Sequence, residues 1–150
     1  MSLFRRRPRV HVPFDEGCHA AEAPALQRGI VQALGHDARA GRLVPAELEV
    51  VRGREGRLAL VWRQAFVGFV PADRVDELRG RLDALDRRAV ALVPGAVLPM
   101  PDPAATDAPW RVWIGPVPDA IPPVPEGLDT LAVPERTILG VPVSKLRAPG

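Results

Sequence analysis

The chain has 150 residues, 47% of them hydrophobic and 25% charged, which is ordinary for one globular domain with a real core. It has a single cysteine, Cys18, so an intramolecular disulfide is excluded and a reducing compartment fits. The net charge of +2 hides an asymmetry: Arg5, Arg6, Arg7 and Arg9 lie in the first nine residues, and the remainder of the chain is net acidic.

Composition carries a bias of its own. There is no Tyr or Asn, and Lys145 is the only lysine among 20 basic residues. Abundant Ala, Arg, Gly and Pro point to a bacterial genome rich in GC. Such a genome explains arginines without a ligand, which weakens arginine as a sign of nucleic-acid binding. Residues 1–9 read as a basic flexible arm with no apolar stretch of a secretory signal behind it. No run approaches the roughly 18–20 apolar residues of a membrane helix. The expectation is a cytoplasmic protein.

In chain order, Val10-His-Val-Pro13 reads as a first strand and residues 15–19 as a connecting loop. A helix is predicted over 23–34, with Pro24 at its start, Leu26, Ile30 and Leu34 on one face and Gly35 at its end. The chain around Arg42-Leu-Val44 is a short strand candidate ended by Pro45. Leu48 to Val51, Leu58 to Trp62 and Ala65 to Val70 read as a meander, joined by a charged turn at 52–56 and a tight one at Arg63-Gln64.

Asp73 is the predicted N-cap of a second helix, whose stripe is Val75, Leu78, Leu82 and Leu85. Glu77 and Arg81 are spaced for a surface ion pair. Ala89 to Val93 reads as a strand, Pro94-Gly95 as a turn, residues 99–109 as a loop. Trp110 to Ile114 is a last strand, with Trp110, Val112 and Ile114 on one face and Trp113 on the other; one tryptophan is expected in the core and the other against the proline-rich tail.

Thirteen of the 18 prolines lie from Pro94 onward. Residues 116–150 read as an extended proline-rich tail, apolar enough to pack partly on the domain or a partner. The predicted organisation is thus a basic arm over 1–9, an α+β domain over 10–115 and the tail. The fold class is a small antiparallel, partly closed β-sheet with two helices.

This order resembles the HIRAN domain, a small β-barrel-like module, over about residues 10–85. Val10-His-Val-Pro-Phe-Asp-Glu-Gly-Cys-His19 and the helix after it look like its opening. Gly41-Arg-Leu-Val-Pro-Ala-Glu47 is similar to its second strand. Leu58-Ala-Leu-Val-Trp62 with Val67-Gly-Phe-Val-Pro-Ala-Asp73 looks like its hairpin. The family's Asn-Pro-x-Asp-x-x-Ala segment is absent; Val51-Arg-Gly-Arg-Glu-Gly56 stands there. The resemblance implies binding of DNA, in known cases a single-stranded 3′ end.

Asp15, Glu16, Cys18, His19 and Glu22 are the densest group of metal-ligating residue types. The adjacent Cys18 and His19 diverge in most backbones, and no motif of metal-ligand spacing accompanies them, so a solvated loop is expected. The same pair lacks a placed base for a nucleophilic thiol, and His11 and His36 are nowhere positioned by the sequence. Ser2 and Ser144 lie near the termini, outside any nucleophile-elbow context. Gly53 and Gly56 are followed by no helix and make no phosphate loop. No cofactor, metal or catalytic residue is expected.

A nucleic-acid surface is the remaining candidate. Arg42, Arg52, Arg54, Arg57, Arg63 and Arg74 are interleaved with Trp62, Phe66 and Phe69. Arginines beside stacking aromatics are what single-strand binders use. The five candidate site residues are Arg42, Arg63, Phe66, Phe69 and Arg74. The competing reading sends the arginines into solvent and Phe66 or Phe69 into the core. The chain therefore reads as a binding module without catalysis, for single-stranded nucleic acid or for a protein held by residues 116–150.

Overall fold

A computed structural model describes residues 7–133 and the backbone of Thr137–Ile138 and Val141–Pro142. Residues 1–6 of the basic arm, and most of the tail beyond residue 133, lie outside the described residues. The fold is α+β: a curled, mainly antiparallel sheet with two helices.

Seven strands form the sheet: β1 (Arg9–His11), β2 (Cys18–His19), β3 (Val44–Arg52), β4 (Leu58–Trp62), β5 (Ala65–Phe69), β6 (Val90–Pro99) and β7 (Trp110–Ile114). The hydrogen-bonded order is β2-β7-β6-β3-β4-β5. The two ends of that series meet. Ala21, just past β2, exchanges two backbone hydrogen bonds with Phe69 of β5, at 2.8 and 3.0 Å. One pairing departs from the antiparallel expectation: β1 runs parallel to β6, Val10 beside Ala91. A separate antiparallel pair, β8 (Thr137–Ile138) with β9 (Val141–Pro142), lies in the tail.

Alternation along the strands builds one core. Leu48 and Val50, Leu58, Leu60 and Trp62, Val67, Val93 and Val97, and Trp110, Val112 and Ile114 all point inward and are buried. The helix α1 (Gln27–Leu34) adds Ile30, Ala33 and Leu34 to that core, and α2 (Val75–Asp83) adds Val75, Leu78 and Leu82. The expected Glu77–Arg81 pair is present at 3.7 Å.

Gly29, a poor helix former, has a packing reason. A Cβ there would lie 2.5 Å from the carbonyl oxygen of Phe66, so only glycine lets α1 approach β5 this closely.

Several boundaries differ from the sequence expectation. Residues 23–26 form a 3-10 turn and α1 starts only at Gln27. Asp73 caps nothing: it sits inside a 3-10 turn over Ala72–Arg74, and α2 has no side-chain cap. Pro45 does not end a strand but lies within β3, in the part that β4, paired from Glu49 onward, does not reach. Pro94-Gly95 is no turn either, since both lie inside β6. The strand tolerates Pro94 because β1 ends beside Leu92 and β7 ends beside Gly95, leaving a gap where the missing N–H would point.

The edge of β7 beyond the reach of β2 is closed by a side chain. The Gln27 amide donates to the carbonyl of Trp110 at 2.8 Å and accepts from its N–H at 3.1 Å. It thereby makes the two bonds a neighbouring strand would make. Gln27→Ala leaves both buried backbone groups unpaired, with an expected loss of about 2 kcal/mol. Urea unfolding followed by circular dichroism measures it, and an unchanged midpoint contradicts the assignment.

No helix among the described residues is long and apolar enough to cross a membrane.

Candidate functional site

The five candidate site residues do not form one patch. Phe66 and Phe69 share a face; Arg63 and Arg74 are held in separate places; Arg42 stands on an exposed loop before β3. Each position follows from its local structure.

The β4–β5 hairpin turns through Arg63 and Gln64, both with positive φ (48° and 68°), as a two-residue hairpin turn demands. Arg63 is used inside the chain. One guanidinium nitrogen donates to the carbonyl of Ala33 and to Asp37, both at 3.0 Å. It thus satisfies a carbonyl left free at the end of α1. Its guanidinium also lies 4.2 Å from the Trp62 ring centroid.

Further along the hairpin, a bulge between Leu60 and Val61 shifts the register, so that Val61 pairs with Phe66 while Ala59 pairs with Phe69. Ala59 and Val61 lie two residues apart and face the same way, so the bulge puts both phenylalanines on the outer face. Neither Phe66 nor Phe69 fills the core, which corrects that part of the sequence reading. Phe66 is 57% exposed. Phe69 is half-buried beneath Arg57, whose guanidinium lies 4.5 Å from the ring centroid. Arg42 is exposed and has no hydrogen-bond or ion-pair partner among the described residues.

Arg74 belongs elsewhere. It donates to Glu77 and to the carbonyl of Glu16, each at 2.8 Å, and lies over Phe14 at 4.3 Å. The hydrogen bond from Arg74 holds the Glu77 carboxyl below its ordinary range. Arg74 lines a cleft of about 600 Å³ with Arg57, and four exposed carboxylates share its rim: Glu55, Asp73, Asp76 and Glu126. The electrostatics of this cleft favour a cation over a phosphate.

Cys18, His19 and Glu22 line the same cleft, but not as a solvated loop. Cys18 and His19 form β2, paired with Ile114 and Trp113 of β7. Burial pushes the Cys18 thiol up to about 11, with Arg74 opposing and Asp73 and Glu77 adding to the shift. Almost none of it is thiolate at neutral pH. Burial also lowers the affinity of His19 for a proton, and its Nε2 lies 2.7 Å from the Pro122 carbonyl, bonding to it as a donor. Among the described residues, no three His, Cys, Asp or Glu side chains converge as a metal site would require.

The sequence reading missed what these residues do hold. Glu22 is 1% exposed, with φ at 72°. Its carboxylate accepts from the N–H and hydroxyl of Thr130, at 2.7 and 3.0 Å, and from the N–H of Leu131 at 2.6 Å. Arg111, 4% exposed on the outer face of β7, donates to both oxygens of Asp129 and to the carbonyl of Ala20. The N–H of Glu22 donates to Asp129 as well. Trp113, beside Arg111 on that face, donates its indole N–H to the carbonyl of Pro116 at 2.9 Å. Residues 116–131 are therefore strapped across the outside of the barrel by polar contacts. The available signal was an arginine alternating with Trp113 in an otherwise apolar strand, opposite a tail that carries Asp129.

Compared with protein-family models, with curated proteins and with solved structures, the chain matches none.

Proposed function

We propose that the chain is a non-catalytic binding module, HIRAN-like in the order of its first strands, whose ligand is single-stranded nucleic acid on the outer face of the β4–β5 hairpin. The observation that carries this reading is Phe66, 57% exposed on the same face as Phe69 with its stacked Arg57. An open aromatic face takes a base of any identity, and a guanidinium beside it takes the phosphate. Arg42, on the exposed loop before β3, has no partner among the described residues and is a further surface charge, whereas Arg63 and Arg74, held in internal bonds, set the hairpin and the first loop in place. Arg57 also lines the acid-rimmed cleft, so a strand would reach it from the hairpin side, away from that rim.

A binding role without catalysis draws support from the Cys18 thiol, which its raised pKa keeps protonated and unreactive. The lone cysteine also suits a reducing, cytoplasmic setting.

The proposal is tested by titrating a labelled single-stranded oligonucleotide into the wild-type chain and into Phe66→Ala. Loss of one stacked base corresponds to about 1–3 kcal/mol, or roughly 5- to 150-fold in affinity, with the sheet signal in circular dichroism unchanged. Equal affinities for the two chains would remove the hairpin from the account.

A second reading, a protein partner held by the tail, rests on a different observation. Val117, Ile121, Leu131 and Val133 are all 38–52% exposed along the strap. Binding of a protein that resists salt and is lost with these side chains would favour it.

A further inference from the structure

The strap is held in an unusual way. Its apolar side chains contribute little: Val117, Ile121, Leu131 and Val133 are exposed, and only Val124 and Leu128 are half-buried. What fastens it is a series of polar groups on the barrel, each matched to a feature of an extended peptide. The Trp113 indole N–H and His19 Nε2 take carbonyls, those of Pro116 and Pro122. The Arg111 guanidinium takes the carboxylate of Asp129, and the Glu22 carboxylate takes two successive N–H groups, of Thr130 and Leu131.

Two of these groups are also left incompletely used. His19 is 5% exposed and Arg111 4%, yet among the described residues His19 Nδ1 and Arg111 Nε are buried without a hydrogen-bond partner. Buried polar atoms of this kind are costly and are normally satisfied. The strap therefore occupies the groove without exhausting its bonding capacity.

We infer that the outer face of β7, with β2 and Glu22, is a peptide-binding groove, and that residues 116–131 are its built-in occupant. The free ligand it fits is an extended peptide that offers a carboxylate to Arg111 and two successive backbone N–H groups to Glu22. The groove side is preorganised on β-strands, which lowers the ordering cost of binding. The occupant, with few buried apolar contacts, belongs to the class of local units that open at low cost. The cleft beside it, walled by strap residues 125–128 and by Cys18, gives an incoming chain room to enter.

The test uses the full chain and Asp129→Ala, which alters the occupant and leaves the groove intact. The probe is a labelled synthetic peptide with the sequence of residues 116–133. Removing the charge-assisted bonds of Asp129 is expected to speed hydrogen exchange of the Thr130 and Leu131 amides by about tenfold or more. The variant should bind the peptide more tightly than the wild type does, and a peptide carrying Asp129→Asn should bind poorly. Unchanged exchange overturns the inference, as does faster exchange without peptide binding, or loss of the sheet signal in Asp129→Ala. Hydrogen exchange on the wild type gives an independent reading. The Thr130 and Leu131 amides should exchange well before the β6–β7 amides of Val97 and Val112, and equal protection places the strap in the cooperative core and overturns it.

Discussion

A chain carrying Gly95→Val is expected to lose the barrel. Gly95 lies in the middle of β6, between Ala46 of β3 and Ile114 of β7. A Cβ at this position would sit 2.2 Å from the carbonyl oxygen of Trp113 and 2.7 Å from Cδ1 of Leu48. The first obstacle is the backbone of the adjacent strand, which cannot rotate aside. The second is a core leucine with no exposure. The strands would have to part, and the bond from the Gly115 N–H to the Pro94 carbonyl would go with them. Overpacking of a core commonly costs 1–3 kcal/mol, and a clash with backbone lies at or above that range, so about 3 kcal/mol or more is expected. Gly80, in α2, has nothing within 4 Å of a Cβ placed there. Gly80→Ala should therefore be neutral, or stabilise by up to about 1 kcal/mol through helix propensity. Urea unfolding of the two variants makes the comparison; equal midpoints would contradict it.

Glu22→Ala is the second large effect. The carboxylate is buried, accepts three hydrogen bonds from Thr130 and Leu131, and lies 3.8 Å from Arg57. Its removal strands those donors and releases the end of the strap. Hydrogen bonds to a charged group contribute about 1.5–3 kcal/mol each but do not add within one network. Desolvation of the carboxylate offsets part of the gain. The expected net loss is about 3 kcal/mol, with the largest increase in hydrogen exchange at residues near 129–131. Glu22→Gln keeps one acceptor oxygen and should fall between. A denaturation midpoint unmoved by Glu22→Ala would mean that these bonds do not hold the strap in solution.

How far the sequence reached depends on the kind of force. Apolar period was readable: Trp110, Val112 and Ile114 share one face, and Val75, Leu78 and Leu82 of α2 line the core; that the Trp110 face and not the Trp113 face is the inner one came only with the fold. Proline and glycine were read by their local habits, and at Pro94-Gly95 that failed. A gap between two neighbouring strands and a close strand approach, neither visible locally, make both residues fit inside β6. Phe66 and Phe69, three residues apart, would fall on opposite faces of a regular strand, and the bulge in the hairpin reverses that. The polar clasp was the least legible part. Glu22 and Asp129 are more than a hundred residues apart and meet only because β2 and β7 lie side by side.

The most direct test of the nucleic-acid reading is the salt dependence of single-stranded oligonucleotide binding by the full chain. The account predicts measurable binding at low salt that weakens as salt rises. A strand reaching two or three phosphates gives a slope of roughly −1.4 to −2 in log K against log salt. The slope should persist when Arg5, Arg6 and Arg7 are replaced by Ala, and become shallower in Arg57→Ala. No binding at low salt, or binding lost entirely with the three arm arginines, would contradict the hairpin surface as the ligand site.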